Sequence, residues 1–127
     1  MIFGIGVDIV HISRMQENLD RYGVRFARRI LAKKEYVEYG RTRNPARFLA
    51  TRFAAKEALV KAFGTGFRGG LFLKQIAVVH DDLGRPSLQC SGRALEMLTG
   101  SGIAQTHLSL AHELDHALAF VALTKSV

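Results

Sequence analysis

Apolar, β-branched residues crowd the segment from Ile2 to Ile12, which reads as a strand. Alternation along it puts Phe3, Ile5, Val7 and Ile9 on one face and Gly4, Gly6 and Asp8 on the other. From about Ser13 to Arg41 the spacing turns helical, in pieces, because Gly23 is a weak point. Asn44 then supplies an N-cap and Pro45 a first helical residue for a long helix to Phe63, which Gly64 is placed to end. Lys74 to His80 is rich in β-branched residues. Asp81-Asp82-Leu83-Gly84 gives turn chemistry, and Pro86 to Cys90 returns as a second strand. Ser91 can cap a short helix through Met97. Thr106 to Ala111 and Ala117 to Leu123 make two apolar strands around Glu113-Leu114-Asp115, a hairpin. Strands joined by hairpins, with helices partly segregated, predict an α+β fold: an antiparallel sheet packed against a long central helix. With no repeat or linker, residues 1–127 are expected to form a single domain.

Length and cysteine usage set outer bounds. A chain of 127 residues holds a real core but is short for an enzyme that encloses a large substrate alone. Lone Cys90 rules out an internal disulfide framework and fits a reducing cytosol. No apolar run reaches membrane-spanning length, and Asp8 inside the first apolar stretch, without a basic leader, argues against a secretory signal. A cytoplasmic protein is expected. Charge is more informative: 18 Lys and Arg against 11 Asp and Glu give +7, a surplus that favours nucleic acid, an acidic protein or a phosphate-rich small molecule.

Four groups of residues have chemical potential. Two glycines beside Asp8 mark close approach of a ligand or of another backbone. Asp8 itself either ends the strand and caps the next helix or serves as a metal ligand or anchor. On the long helix, at about 100° per residue, Ala50, Ala54, Glu57 and Lys61 share a stripe. They face a packed crevice, unless Glu57 and Lys61 form a plain surface pair. Gly64-Thr65-Gly66 is either a glycine C-cap or a phosphate cradle, and it is neither a Walker loop nor a dinucleotide fingerprint. Arg14, Arg21, Arg25 and Arg28 fall within about 60° on a continuous helix, as a solvated face or as a surface for carboxylates and phosphates. The five histidines show no zinc-protease spacing, and Ser109 with His112 does not make a triad.

In this order, the motifs resemble those of the holo-acyl-carrier-protein synthase family of phosphopantetheinyl transferases, over essentially the whole chain. Gly4-Ile5-Gly6-Val7-Asp8-Ile9-Val10 with Arg14 is similar to the family's opening signature. Arg52-Phe53-Ala54-Ala55-Lys56-Glu57-Ala58 through Lys61-Ala62-Phe63-Gly64-Thr65-Gly66 resembles its central helix and loop almost letter for letter. Gly84-Arg85-Pro86 and His107-Leu108-Ser109-Leu110 fit its hairpin and late strand. Ala111 is a departure, since many members carry Ser or Thr just before His112.

The resemblance implies the 4′-phosphopantetheinyl transferase fold. It also implies transfer of phosphopantetheine from coenzyme A to a serine of an apo acyl carrier protein, in support of fatty acid biosynthesis, with release of adenosine 3′,5′-bisphosphate. Asp8, Glu57 and Lys61 become the expected catalytic residues, Asp8 and Glu57 holding Mg²⁺ beside the diphosphate. Lys61, Gly64, Thr65 and Gly66 would bind coenzyme A, joined by Arg52, Pro86 and His107 from a neighbouring subunit of a homotrimer. Arg14, Arg21, Arg25 and Arg28 would receive the acidic carrier protein. The group that accepts the serine proton stays open among Glu57, a metal-bound water and His112. Two rivals are a basic nucleic-acid module and a non-catalytic scaffold for acidic proteins. Against the first stand the absence of Trp, only three Tyr and no recognisable binding motif, so no nucleic-acid partner is expected, nor a membrane.

Overall fold

A computed structural model describes residues 1–126. Strand β1 (Ile2–His11) runs into α1 (Ile12–Tyr22), and Gly23, at φ 61°, breaks the helical chain before α2 (Val24–Ile30). A 3₁₀ turn leads to α3 (Tyr36–Arg41) and α4 (Pro45–Phe63). After these come β2 (Ile76–His80), β3 (Pro86–Cys90), α5 (Gly92–Gly100), β4 (Ile103–His112) and β5 (His116–Lys125). All strand pairs are antiparallel, in a three-stranded sheet ordered β1-β5-β4 and a separate β2-β3 hairpin. The architecture is the expected α+β arrangement of an antiparallel sheet on a long helix. Lys74, read as strand, lies instead in a 3₁₀ turn, where the Gln75 side chain bonds Phe72, Gly70 and Ala94 and delays the strand to Ile76. Ser91 precedes α5 without a side-chain cap bond, and the helix continues past Met97 to Gly100.

Helix α4 is the centre of the core because it is apolar around most of its circumference. Both ends follow from local sequence. The Asn44 side chain accepts a hydrogen bond from the Arg47 N–H at 3.1 Å, Pro45 occupies the first turn, and Gly64 closes the helix at φ 82°. The helix lies across β1 and β5, and Leu49, Ala54, Ala58 and Leu59 bury themselves with Ala117, Ala119, Val121 and Leu123.

One face of β1 reverses the usual arrangement. The glycine face packs on α4, while Phe3, Ile5, Val7 and Ile9 stay exposed, Ile9 by 61%. Register places Val7 beside Phe120 and Ile9 beside Leu118, both also exposed, so the apolar surface spans two strands.

Candidate active site

Gly4 and Gly6 decide where Asp8 goes. A Cβ on Gly4 would run into the Ala62 carbonyl oxygen, and one on Gly6 into the Ala58 carbonyl oxygen. Only glycine allows β1 to lie this close to α4. The close backbone contact is made along Ala58 and Ala62, one position round from the expected alanine stripe, and the Glu57–Lys61 row flanks that seam. Asp8, two residues beyond Gly6 on the same strand face, thereby reaches α4.

Asp8 caps nothing. It lies within β1, and the residue preceding α1 is His11, which makes no side-chain cap bond. The Asp8 carboxylate instead accepts a hydrogen bond from Lys61 Nζ at 3.0 Å, and Lys61 also donates to the Val7 carbonyl at 3.0 Å. Lys61 therefore crosses to β1 rather than bonding Glu57, and the plain surface pair is not formed. Its ammonium has a third donor to offer.

Glu57 is half-buried, one helical turn before Lys61. Burial is the main cause that raises its carboxyl pKa; the Asp8 charge raises it further, and Lys61 opposes both. The two carboxylates thus feel each other in the wall of a cleft of about 890 Å³. Asp8, Glu57 and Phe53 line it together with Arg14, Arg25 and Arg29. Among the described residues no group of three or more His, Cys, Asp or Glu side chains converges. Two hard carboxylate oxygen donors beside an open cleft suit Mg²⁺, which takes one or two protein carboxylates and completes its shell with water and substrate phosphates.

The expected arginine stripe does not survive Gly23. With α1 and α2 separate helices, Arg14 and Arg25 face the cleft, whereas Arg21 lies over the Tyr22 ring and neither it nor Arg28 lines the cleft wall. Arg29, not singled out from the sequence, joins the wall instead. Arg25 and Arg29, four residues apart on α2, share the face it turns to the cleft.

Gly64, Thr65 and Gly66 follow α4 directly, all exposed. Gly64 is a true C-cap, its N–H bonded to the Val60 and Lys61 carbonyls, and Gly66 also has positive φ. Arg52, Pro86 and His107 are not brought to the cleft of their own chain. Arg52 is buried over the Phe48 ring, 3.0 Å from Glu38, and its Nε has no partner. A shallow depression there holds Glu38, Arg41, Thr42, Phe48, Arg52 and His80, and Pro86 pairs with His80 across the β2-β3 hairpin. His107 lies on the outer sheet face, 3.1 Å from the Thr124 hydroxyl. His112, at the far end of β4, is not among the residues lining the cleft.

Comparison with known proteins identifies the family. Residues 4–121 match the profile of the 4′-phosphopantetheinyl transferase superfamily. The holo-[acyl-carrier-protein] synthase of Laribacter hongkongensis is 50% identical over 121 residues, 95% of this chain and 97% of that protein. The crystal structure of the Neisseria meningitidis holo-[acyl-carrier-protein] synthase superposes with a TM-score of 0.92 at 44% identity, covering 98% of this chain and all of that one. That of Bacillus anthracis, solved in complex with CoA (3′,5′-ADP), gives 0.83 at 36% identity over 99% of both chains. The fold, the glycine-seated carboxylate pair and these likenesses together place the chain in the 4′-phosphopantetheinyl transferase superfamily.

Proposed function

We propose that the protein is a holo-acyl-carrier-protein synthase, transferring 4′-phosphopantetheine from coenzyme A to a serine of an apo acyl carrier protein in support of fatty acid biosynthesis. The observation that carries this is the juxtaposition of Asp8 and Glu57 in the wall of an arginine-lined cleft, with Lys61 bonded to Asp8. It suits a substrate with an internal diphosphate and an acceptor that is an acidic protein.

Asp8 and Glu57 would hold Mg²⁺. When bound, the ion would neutralise charge on the diphosphate oxygens. Lys61, held by Asp8 and the Val7 carbonyl, directs its free donor to a phosphate oxygen. The Gly64-Thr65-Gly66 turn offers exposed backbone next to it for the nucleotide side of the substrate. Glu57 would take the serine proton, since it lines the cleft and, unlike Asp8, makes no bond to Lys61. The serine oxygen forms its bond to the pantetheine-side phosphorus. The bond to the bridging oxygen breaks, and adenosine 3′,5′-bisphosphate leaves. Arg14 and Arg25 hold the acidic carrier protein, with Arg21 and Arg28 extending the positive field beside them.

The functional unit is a homotrimer of single-domain chains, active in the cytoplasm. The apolar outer face of β1 and β5 supports association, since so large a patch needs covering. Arg52, Pro86 and His107 then serve a neighbour's coenzyme A, a role favoured by the unpartnered Arg52 Nε. No helix among the described residues is long and apolar enough to cross a membrane.

Incubation with coenzyme A, Mg²⁺ and an apo carrier protein, followed by mass spectrometry of the carrier, tests the reaction. Gain of one phosphopantetheine on the serine is expected. An unmodified carrier at high enzyme concentration would overturn the assignment.

A further inference from the structure

Beneath the arginine wall lies an ion pair that the transfer chemistry does not use. Lys56, next to Glu57 in sequence but pointing away from the cleft into the core, is fully buried, and so is Glu35. Lys56 Nζ donates to Glu35 Oε1 and to the Ile30 carbonyl, each at 2.6 Å. Glu35 Oε1 also accepts from the Ala32 N–H at 2.8 Å, and Oε2 accepts from the Val78 N–H at 3.1 Å. One pair of side chains thus joins α4, the last residue of α2, the turn after it and β2.

A buried ion pair is weak evidence for stability, since apolar residues of similar volume often serve as well. Apolar residues cannot satisfy three backbone groups on separate segments. The Ile30 carbonyl is one of those that a helix end leaves without an intrahelical donor, and a cation there also complements the helix dipole. Helix α2 has only seven residues, too few to hold a direction by itself. At its other end is Gly23, with open space around it. Between this pivot and the buried pair, α2 presents Arg25 and Arg29 to the cleft.

We propose that Lys56 and Glu35 are positioning residues. They clamp the C-terminal end of α2 onto α4 so that Arg25 and Arg29 meet the acidic carrier protein in register with Glu57. This rests on the transferase assignment and extends it. Neither residue touches substrate; both act through the arginines.

A double-mutant cycle tests the clamp, with the full-length enzyme, coenzyme A, Mg²⁺ and apo carrier protein. Lys56→Met is expected to raise the KM for the carrier roughly tenfold, leaving the KM for coenzyme A and kcat at saturating carrier within about twofold. In an Arg25→Ala/Arg29→Ala background, the same Lys56→Met change should add almost nothing to the carrier KM, because the groups it positions are gone. A merely structural role would add its full effect there, and would move the coenzyme A KM too. Either result overturns the clamp, as does an unchanged carrier KM. Should Lys56→Met not fold, Glu35→Gln carries the cycle. It keeps one acceptor for Lys56 and Ala32 but turns an amide N–H₂ towards the Val78 N–H, and a carrier-specific rise of about threefold is expected. If the wild-type enzyme transfers nothing, the transferase assignment itself fails, a result distinct from wild-type transfer with a flat cycle.

Discussion

Glu57 shows how a site residue is held against its own preference. A carboxyl whose pKa rises on folding binds protons more tightly in the folded state. Its ionised form therefore opposes folding above the ordinary carboxylate range and costs nothing below it. Stability contributed by this group falls as pH climbs from the unfolded value towards the folded one. Glu57→Gln, in a metal-free buffer, is expected to raise the melting temperature at pH 7, and the gain should vanish below about pH 4. Thermal unfolding across pH reads this directly, and a lower melting temperature at pH 7 would contradict it. The same variant should lose transfer activity by about 100-fold or more. Asp8→Asn should match that loss, since it also strips Lys61 of its carboxylate. At this scale much was visible in the sequence: Asp8, Glu57 and Lys61 stood out from spacing and resemblance. Lys56 and Glu35 did not, because their partnership spans 21 positions and its purpose lies in backbone groups of other segments. A lysine inside an otherwise apolar helical ring was the available signal.

Elements are where local chemistry was most legible. Asn44, Pro45 and Gly64 bound α4 as read, because caps act over a few residues and need no tertiary information. The arginine stripe failed for the converse reason. Its geometry assumed that helix continued through Gly23; α2 is a separate helix, and the pair four apart on it, Arg25 and Arg29, lines the cleft while Arg28 does not. The β1–α4 seam makes a sharper prediction. Gly6→Ala should destabilise by about 1–3 kcal/mol, because the new methyl meets helix backbone that cannot rotate aside. It should also depress kcat by pushing Asp8 away from Glu57. Gly40→Ala is the control: it sits in α3 at ordinary φ with open space around it, and should stabilise by about 0.4–1 kcal/mol with activity intact. Equal effects of the two changes in denaturant titrations would remove the seam from the account.

At the scale of the whole molecule, the exposed face of β1 and β5 matters most. Alternation correctly separated its two faces but could not say which one packs inward, because the answer lies in α4 and the glycines opposite it. Val7 and Phe120 sit side by side on the outer face. If the proposed trimer forms through this face, Val7→Glu combined with Phe120→Lys should leave monomers in sedimentation velocity and abolish transfer, with the melting transition still cooperative. A monomeric wild-type protein at micromolar concentration would contradict the trimer.

As proposed here, Asp8 and Glu57, seated by Gly4 and Gly6, would jointly grip a divalent cation beside a diphosphate. Calorimetric titration of coenzyme A with and without Mg²⁺, in the wild type, Asp8→Asn and Glu57→Gln, tests it most directly. Magnesium should tighten binding to the wild type by about tenfold or more and leave either variant nearly indifferent. An equal magnesium effect in all three proteins would contradict the claim.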